Sequence, residues 1–241
     1  MKNTQLFLLA CLAAVSAGCK QEPAEKPKVT YDAAKKEKAV PKADTAQIEV
    51  ADLPIHIPGT AYLIHPVGDL NFGAGKPKYD ASGAAANTAS FQISNYDEGE
   101  ITGYLRNLKF QPFGSDSIVS LSDKPLLIQS AKFLRALAER NKQQIMVYTL
   151  ADMDTNQDGK LDTNDIKSLY MSEMGGARFT KISADMQELI DWSVVESQNK
   201  LYFRTIEDTN KNGEFDPNDL VHYYFIDLSD KDWKVSDYKP I

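Results

Sequence analysis

The chain has 241 residues, a formal net charge of −7 and two cysteines, Cys11 and Cys19. An acidic chain without a basic stripe has nothing with which to neutralise a phosphate backbone, so nucleic acid is not an expected partner. Both cysteines fall within residues 1–19, so the rest of the chain can build neither a disulfide framework nor a thiolate metal site.

Residues 1–18 carry Lys2, the apolar run Leu6 to Val15, and Ser16-Ala17-Gly18 directly before Cys19. A charged start, an apolar core of about 7–15 residues and small residues at the cut site make an export signal. With a cysteine following Ala-Gly, the segment resembles a bacterial lipoprotein signal. That resemblance implies that Cys19 becomes the acylated first residue of the mature chain and anchors it to a membrane. Ser16 stands where such signals usually have Leu, and an ordinary cleaved signal with a chance cysteine is the alternative. Lys20, where Asp would imply retention at the inner membrane, implies an outer-membrane lipoprotein facing the periplasm or the cell surface. No second long apolar run follows.

Residues 19–52 are mostly Lys, Ala, Glu and Pro. Such a segment buries too little apolar surface to offset its ordering entropy and reads as a flexible tether. From 53 to 241 the chain is long enough for one large or two small cores. Turn signals at Pro58-Gly59, Gly68-Asp69, Gly73 to Gly75, Ser82-Gly83, Asp97 to Gly99 and Gly114 to Asp116 separate short strand candidates. These are 61–64, 90–93, 101–105, 108–110 and 117–121, a spacing that predicts antiparallel β structure. Residues 130–140 are rich in helix formers and predict one short helix, with a β-arch as the alternative. Gly73-Ala-Gly75-Lys76 matches neither the P-loop nor the dinucleotide spacing.

Between Ile145 and Leu228 one acidic sequence is written twice. The first copy runs Asp154-Thr-Asn156-Gln-Asp158-Gly159-Lys160-Leu-Asp162-Thr-Asn-Asp165, the second Asp208-Thr-Asn210-Lys-Asn212-Gly213-Glu214-Phe-Asp216-Pro-Asn-Asp219. The offset is 208 − 154 = 54 residues, and it extends through the flanks, aligning Tyr148 with Tyr202 and Tyr170 with Tyr224. The repeat therefore spans 145–176 and 199–230. Oxygen side chains stand at loop positions 1, 3 and 5, a turn-making Gly at 6, a usable backbone carbonyl at 7 (Lys160, Glu214), and acids at 9 and 12. This is the donor order that wraps a short segment around calcium, so up to two Ca2+ are the expected cofactors. The second loop has Asn212 at position 5 beside Lys211, and both loops have Asp rather than Glu at 12, which points to weak extracellular-type affinity. Turns without metal, built from the same Asx residues, are the alternative. The flanks 145–150, 200–206 and 221–228 are β-branched and aromatic and read as strands, whereas 166–174 also suits a short helix.

The segment 168–182, then Trp192, then 199–205 resembles the blade repeat of TolB-type β-propellers, with a strand, a Gly turn (Gly175-Gly176), a second strand, a Trp and a third strand. Ile182-Ser183 replaces the usual Leu-Thr, and the Ser-Pro-Asp-Gly after the Trp is missing. The resemblance implies a mostly β fold of antiparallel meanders in propeller-like blades, either a small or incomplete propeller of about four blades or a two-sheet stack. The loop spelling also resembles dockerin repeats, although dockerin loops lie closer together and precede helices.

His56, His65 and His222 sit in no nucleophile or zinc motif, and Asp152 with Glu207 is the one conceivable acid pair. The expected function is that of an envelope-anchored calcium-binding lipoprotein acting as a binding or structural module. An enzyme assembled from residues distant in sequence and a dockerin-like docking module are the competing classes.

Overall fold

The computed structural model describes residues 28–31, 47–71, 91–92 and 99–241. The export signal, Cys19 and the Gly73-Ala-Gly75-Lys76 loop lie outside the described residues. The fold is mostly β, antiparallel at every pairing, with one α-helix among the described residues.

One sheet runs in the order β1 (Gln47–Ala51), β3 (Tyr62–Asn71), β5 (Glu100–Pro112), β7 (Leu127–Phe133), β8 (Ile145–Ala151), β9 (Ser168–Glu173) and β10 (Thr180–Lys181). Three two-residue strands join it from the side: β2 (Ile55–His56) on β3, and β4 (Phe91–Gln92) and β6 (Val119–Ser120) on β5. A second sheet is the four-stranded meander β11 (Gln187–Val195), β12 (Lys200–Glu207), β13 (Leu220–Asp227) and β14 (Val235–Asp237). The latter has the strand order of a blade, and β7 to β10 repeat that order. Among the described residues neither sheet closes. Of the two expected arrangements, a small or incomplete propeller or a two-sheet stack, the described residues form two sheets, because β5 is long enough, at 13 residues, to pair with β7 through its first half and with β3 through its second.

The strand β8 is the spine of the molecule. Its run Ile-Met-Val-Tyr-Thr-Leu-Ala is apolar on both faces, as a strand buried on two sides must be. Met146, Tyr148 and Leu150 enter one core with Ile64, Leu105, Phe110 and Phe133. Ile145 and Val147 point the other way into a second core with Leu169, Met171, Leu201, Phe203 and Ile226, which cements the two sheets. Each of these large side chains removed from water contributes about 1.5–3 kcal/mol. Tyr148 is wholly buried, so its hydroxyl needs a partner and finds Ser172 Oγ at 2.7 Å, while burial pushes the phenol's pKa upward.

Several sequence expectations change. The candidates 101–105 and 108–110 are one strand, because the polar side chains between them find partners: Arg106 Nε donates to Asp69 at 2.7 Å, and Asn107 Oδ1 accepts from Leu108 N at 2.9 Å and Leu121 N at 3.2 Å. Of 117–121, Val119 and Ser120 alone pair. The predicted helix over 130–140 splits. Its first half is the end of β7, where the ladder to β8 overrides helix propensity, and α1 covers Arg135–Asn141, closed by left-handed Lys142. Within 166–174, Ser168–Glu173 is a strand, β9, so strands frame both acidic loops. The dockerin alternative falls on this point, since β9 and β13 stand where it requires helices.

The two repeat hairpins are not superimposable residue for residue. Tyr148 lies opposite Tyr170, but their counterparts Tyr202 and Tyr224 face Phe225 and Phe203, a slip of one residue in the second hairpin.

The tight turn after β9 explains one glycine. Gly175 has φ +92°, and a Cβ there would meet the Tyr62 ring at 2.7 Å, whereas Gly59 has φ +89° with nothing within 4 Å. Both substitutions to Ala incur the left-handed cost, about 1–2 kcal/mol, but only Gly175→Ala adds a steric clash with a ring. Thermal melts of the two variants are expected to show Gly175→Ala the less stable by at least about 1 kcal/mol, in the range of an overpacked site; equal melting temperatures would contradict this packing.

Candidate metal centre

The first acidic loop springs from the end of the buried strand β8 and returns in β9, and the second springs from the half-buried strand β12 and returns in β13. Within the first loop the side-chain oxygens turn inward onto the loop's own backbone. Asp154 Oδ1 accepts from Asp158 N at 3.1 Å and its Oδ2 from Gly159 N at 2.9 Å; Asn156 Oδ1 accepts from Asp158 N at 3.0 Å, and Asp158 Oδ1 from Lys160 N at 2.9 Å. Asp162 Oδ1 accepts from Asn164 N at 2.8 Å. Asp165 closes the ring, taking Thr155 N at 2.7 Å on Oδ1 and Asp162 N at 2.9 Å on Oδ2.

The second loop repeats this network in register. Asp208 accepts from Asn212 N at 3.2 Å and Gly213 N at 2.7 Å, Asn210 Oδ1 from Asn212 N at 2.9 Å, Asn212 Oδ1 from Glu214 N at 2.8 Å and Asp216 Oδ1 from Asn218 N at 2.7 Å. Asp219 takes Thr209 N at 3.1 Å and Asp216 N at 2.9 Å. Position 4 is left-handed in both copies, Gln157 at φ 58° and Lys211 at φ 58°, as is position 6, Gly159 at φ 85° and Gly213 at φ 87°. At position 8, Leu161 packs into a small buried cluster with Leu127 and Ala151 and fixes the loop to the sheet.

Among the described residues, no three His, Cys, Asp or Glu side chains gather into a metal-holding group by themselves. The donor chemistry of the loops is broader than that set. It includes Asn156, Asn210 and Asn212 and the carbonyls of Lys160 and Glu214, and Asp158 and Asp162 each commit one oxygen, Oδ1, to a backbone N–H. A carboxylate held by one oxygen keeps lone pairs for a hard cation. The residues therefore fit calcium by type and order.

The loops differ in detail. Asp165 is 1% exposed, and burial raises its carboxyl above the ordinary range, against the bonds from Asp162 N and Thr155 N and with the added effect of the Asp154 charge. In the second loop Asn212 Nδ2 donates to Asp216 Oδ2 at 3.2 Å, a bond open to Asn and not to Asp158.

Residues 28–31 belong to the stretch expected to be free tether, yet they lie across both loops. Lys28 N and Val29 N donate to Gly213 O at 2.7 and 3.2 Å, and Thr30 N donates to Thr155 O at 2.9 Å. Thr155 Oγ1 donates to Lys28 O at 2.7 Å, Thr30 Oγ1 to Asn156 O at 2.9 Å and Gln157 Nε2 to Thr30 O at 3.0 Å. Val29 is buried, and Lys28 Nζ meets Glu188 Oε1 at 2.9 Å. Burial, followed by the charge of Asp208 and a hydrogen bond to it, pushes the Tyr31 phenol up to about 12. Sequence reasoning missed Lys28, Val29, Thr30, Thr155 and Glu188. The signal lay in Val29-Thr30-Tyr31, a β-branched and aromatic patch within Lys, Ala, Glu and Pro.

The remaining candidates have local partners. His56 Nε2 bonds Thr60 O at 3.2 Å, His65 Nε2 bonds Gln111 Oε1 at 3.0 Å and His222 Nε2 bonds Glu207 Oε2 at 2.8 Å. Asp152 takes Lys181 Nζ at 3.0 Å and Tyr170 Oη at 2.8 Å, so it and Glu207 belong to different clusters. Trp192 Nε1 reaches Thr149 Oγ1 at 3.3 Å, and Trp233 is buried under the Arg178 guanidinium.

No family model matches the chain, and no curated protein matches it. Among solved structures, a protein described as a TolB from Agrobacterium tumefaciens is similar at 14% identity, covering 78% of this chain and 80% of that one, with a TM-score of 0.22. A score this low does not establish a shared fold.

The ring-closing acids give a test that needs no ion. Asp165→Ala strands the buried Thr155 N–H and is expected to cost about 2–3 kcal/mol in chelator, while Asp219→Ala, at a wetter site, costs about 1 kcal/mol. Denaturant titration of both variants checks this, and equal costs would contradict the difference in burial.

Proposed function

We propose that this protein is an envelope-anchored lipoprotein, held at a membrane through acylated Cys19, whose β domain binds up to two calcium ions and serves as a binding or structural module. The observation that carries the reading is the duplicated network: five side-chain positions, 54 residues apart, engage equivalent backbone groups in two hairpins that differ in sheet and in register. Sequence drift erodes such equivalence unless both loops answer to one requirement.

In this reading Asp154, Asn156, Asp158, the Lys160 carbonyl, Asp162 and Asp165 hold one ion. Asp208, Asn210, Asn212, the Glu214 carbonyl, Asp216 and Asp219 hold the other. Bound calcium supplies the positive charge that turns mutual repulsion of the acids into attraction. The chain's part is to keep the oxygens on one short arc, which the backbone N–H groups and the left-handed Gly159 and Gly213 do. The second loop is the weaker site, because it has one acid fewer and Asn212 must leave Asp216. An outer-membrane position follows from Lys20 after the lipidated cysteine.

The test is a melt of residues 20–241 in chelator and then in calcium at about a hundred times the dissociation constant. One occupied site adds about 2.7 kcal/mol, a rise of roughly 5–10 °C for a domain of this size. Asp154→Ala is expected to remove most of the rise and Asp208→Ala a smaller part. An unchanged melting temperature in the parent would overturn calcium binding. Separately, Cys19→Ser in the full chain is expected to move the protein from the membrane to the soluble fraction; retention at the membrane would overturn the lipid anchor.

A further inference from the structure

The contacts of Lys28–Tyr31 assign this segment a task that a spacer does not have. We propose that it is a strap locking the two loops together, and that its seating and calcium binding strengthen one another. The inference rests on the calcium reading above and adds its regulation.

The strap bonds to both loops within four residues. Lys28 and Val29 donate to Gly213 O of the second loop, while Thr30 N, Thr30 Oγ1 and Lys28 O engage Thr155 and Asn156 of the first. The two loops lie in different sheets, so this tetrapeptide links sites that the ladders leave separate. Glu188 of β11 completes the link: its Oε1 meets Lys28 Nζ at 2.9 Å and Lys167 Nζ at 3.1 Å, and its Oε2 accepts from Lys167 N at 2.8 Å, just beyond the first loop. Val29, at 2% exposure, provides the apolar anchor.

The strap also grips atoms that the ions do not need. Its acceptors are the carbonyls at loop positions 2, 3 and 6 (Thr155, Asn156, Gly213), whereas the ligand carbonyls are those at position 7, Lys160 and Glu214. The strap therefore orders the loop backbones without competing for coordination, which lowers the entropy an ion must remove on binding. Coupling is reciprocal, so an ion that orders the loops must hold the strap more firmly. A seated strap leaves eight residues, 20–27, and so 28 − 19 = 9 Cα–Cα steps between Cys19 and Lys28, a reach of at most about 30 Å, and thereby keeps the loop rim close to the anchor.

Calorimetric titration with calcium of the full chain, of the full chain with residues 28–31 replaced by Gly-Ser-Gly-Ser, and of Thr30→Val decides the matter. The replacement is expected to weaken binding about 5-fold or more, within the usual range of coupling, and Thr30→Val to weaken it in the same direction by less. Melts in chelator show which chains are folded. Should the replaced chain be unfolded, Thr30→Val alone decides. Parent and folded variants binding calcium equally would overturn the strap and leave the calcium reading standing; a parent that binds no calcium would overturn both.

Discussion

The structure turns on the way an acid at the end of each loop ties that loop to itself. Asp165 bridges Thr155 N–H and Asp162 N–H, and Asp219 bridges Thr209 N–H and Asp216 N–H. An excursion of twelve or more residues between two strands carries many backbone donors with no ladder to join, and a carboxylate with two oxygens satisfies one at each end of the arc. Negative charge concentrates in the loop as a consequence. The same residues that solve a hydrogen-bonding problem create an electrostatic one, and it is this second problem that the proposed cation would answer.

That local arrangement depends on a rigid base. β8 is buried on both faces and carries the first loop out of the point where two cores meet, and Leu161 pins the loop back against Leu127 and Ala151. The second loop has a looser base: β12 is a middle strand of a four-stranded meander, and Asp219 is wetter than Asp165. The asymmetry in burial and the asymmetry in acid content run in the same direction, and the proposed reading takes the first loop as the stronger member of the pair. The strap and Glu188 then join the two through hydrogen bonds that neither sheet supplies.

Much of this was legible in the residues. The 54-residue repeat, the loop positions and the strand character of 145–150, 200–206 and 221–228 follow from periodicity and spacing, and the structure has strands there. What escaped was set by long-range pairing. Ser130 to Phe133 carries helix formers but extends because β8 offers it a ladder, and β5 runs through Arg106 and Asn107 because Asp69, Leu108 and Leu121 satisfy their polar groups. The one-residue slip between the hairpins has no signature in a gapless repeat, since pairing register is a property of two strands and alignment a property of one. Lys28 to Tyr31 was submerged in a polar segment whose average composition masks a patch of Val, Thr and Tyr. Segment-wide composition speaks to average behaviour, and four residues with six hydrogen bonds to two loops depart from the average.

The most direct measurement of the central claim is a crystal structure of residues 20–241 grown in millimolar calcium. The account expects a cation in at least the first loop, with oxygens of Asp154, Asn156, Asp158 and the Lys160 carbonyl at about 2.3–2.6 Å and Lys28–Tyr31 still laid across both hairpins. Ordered loops without a cation, their carboxylates bonded to their own backbone alone, would contradict it.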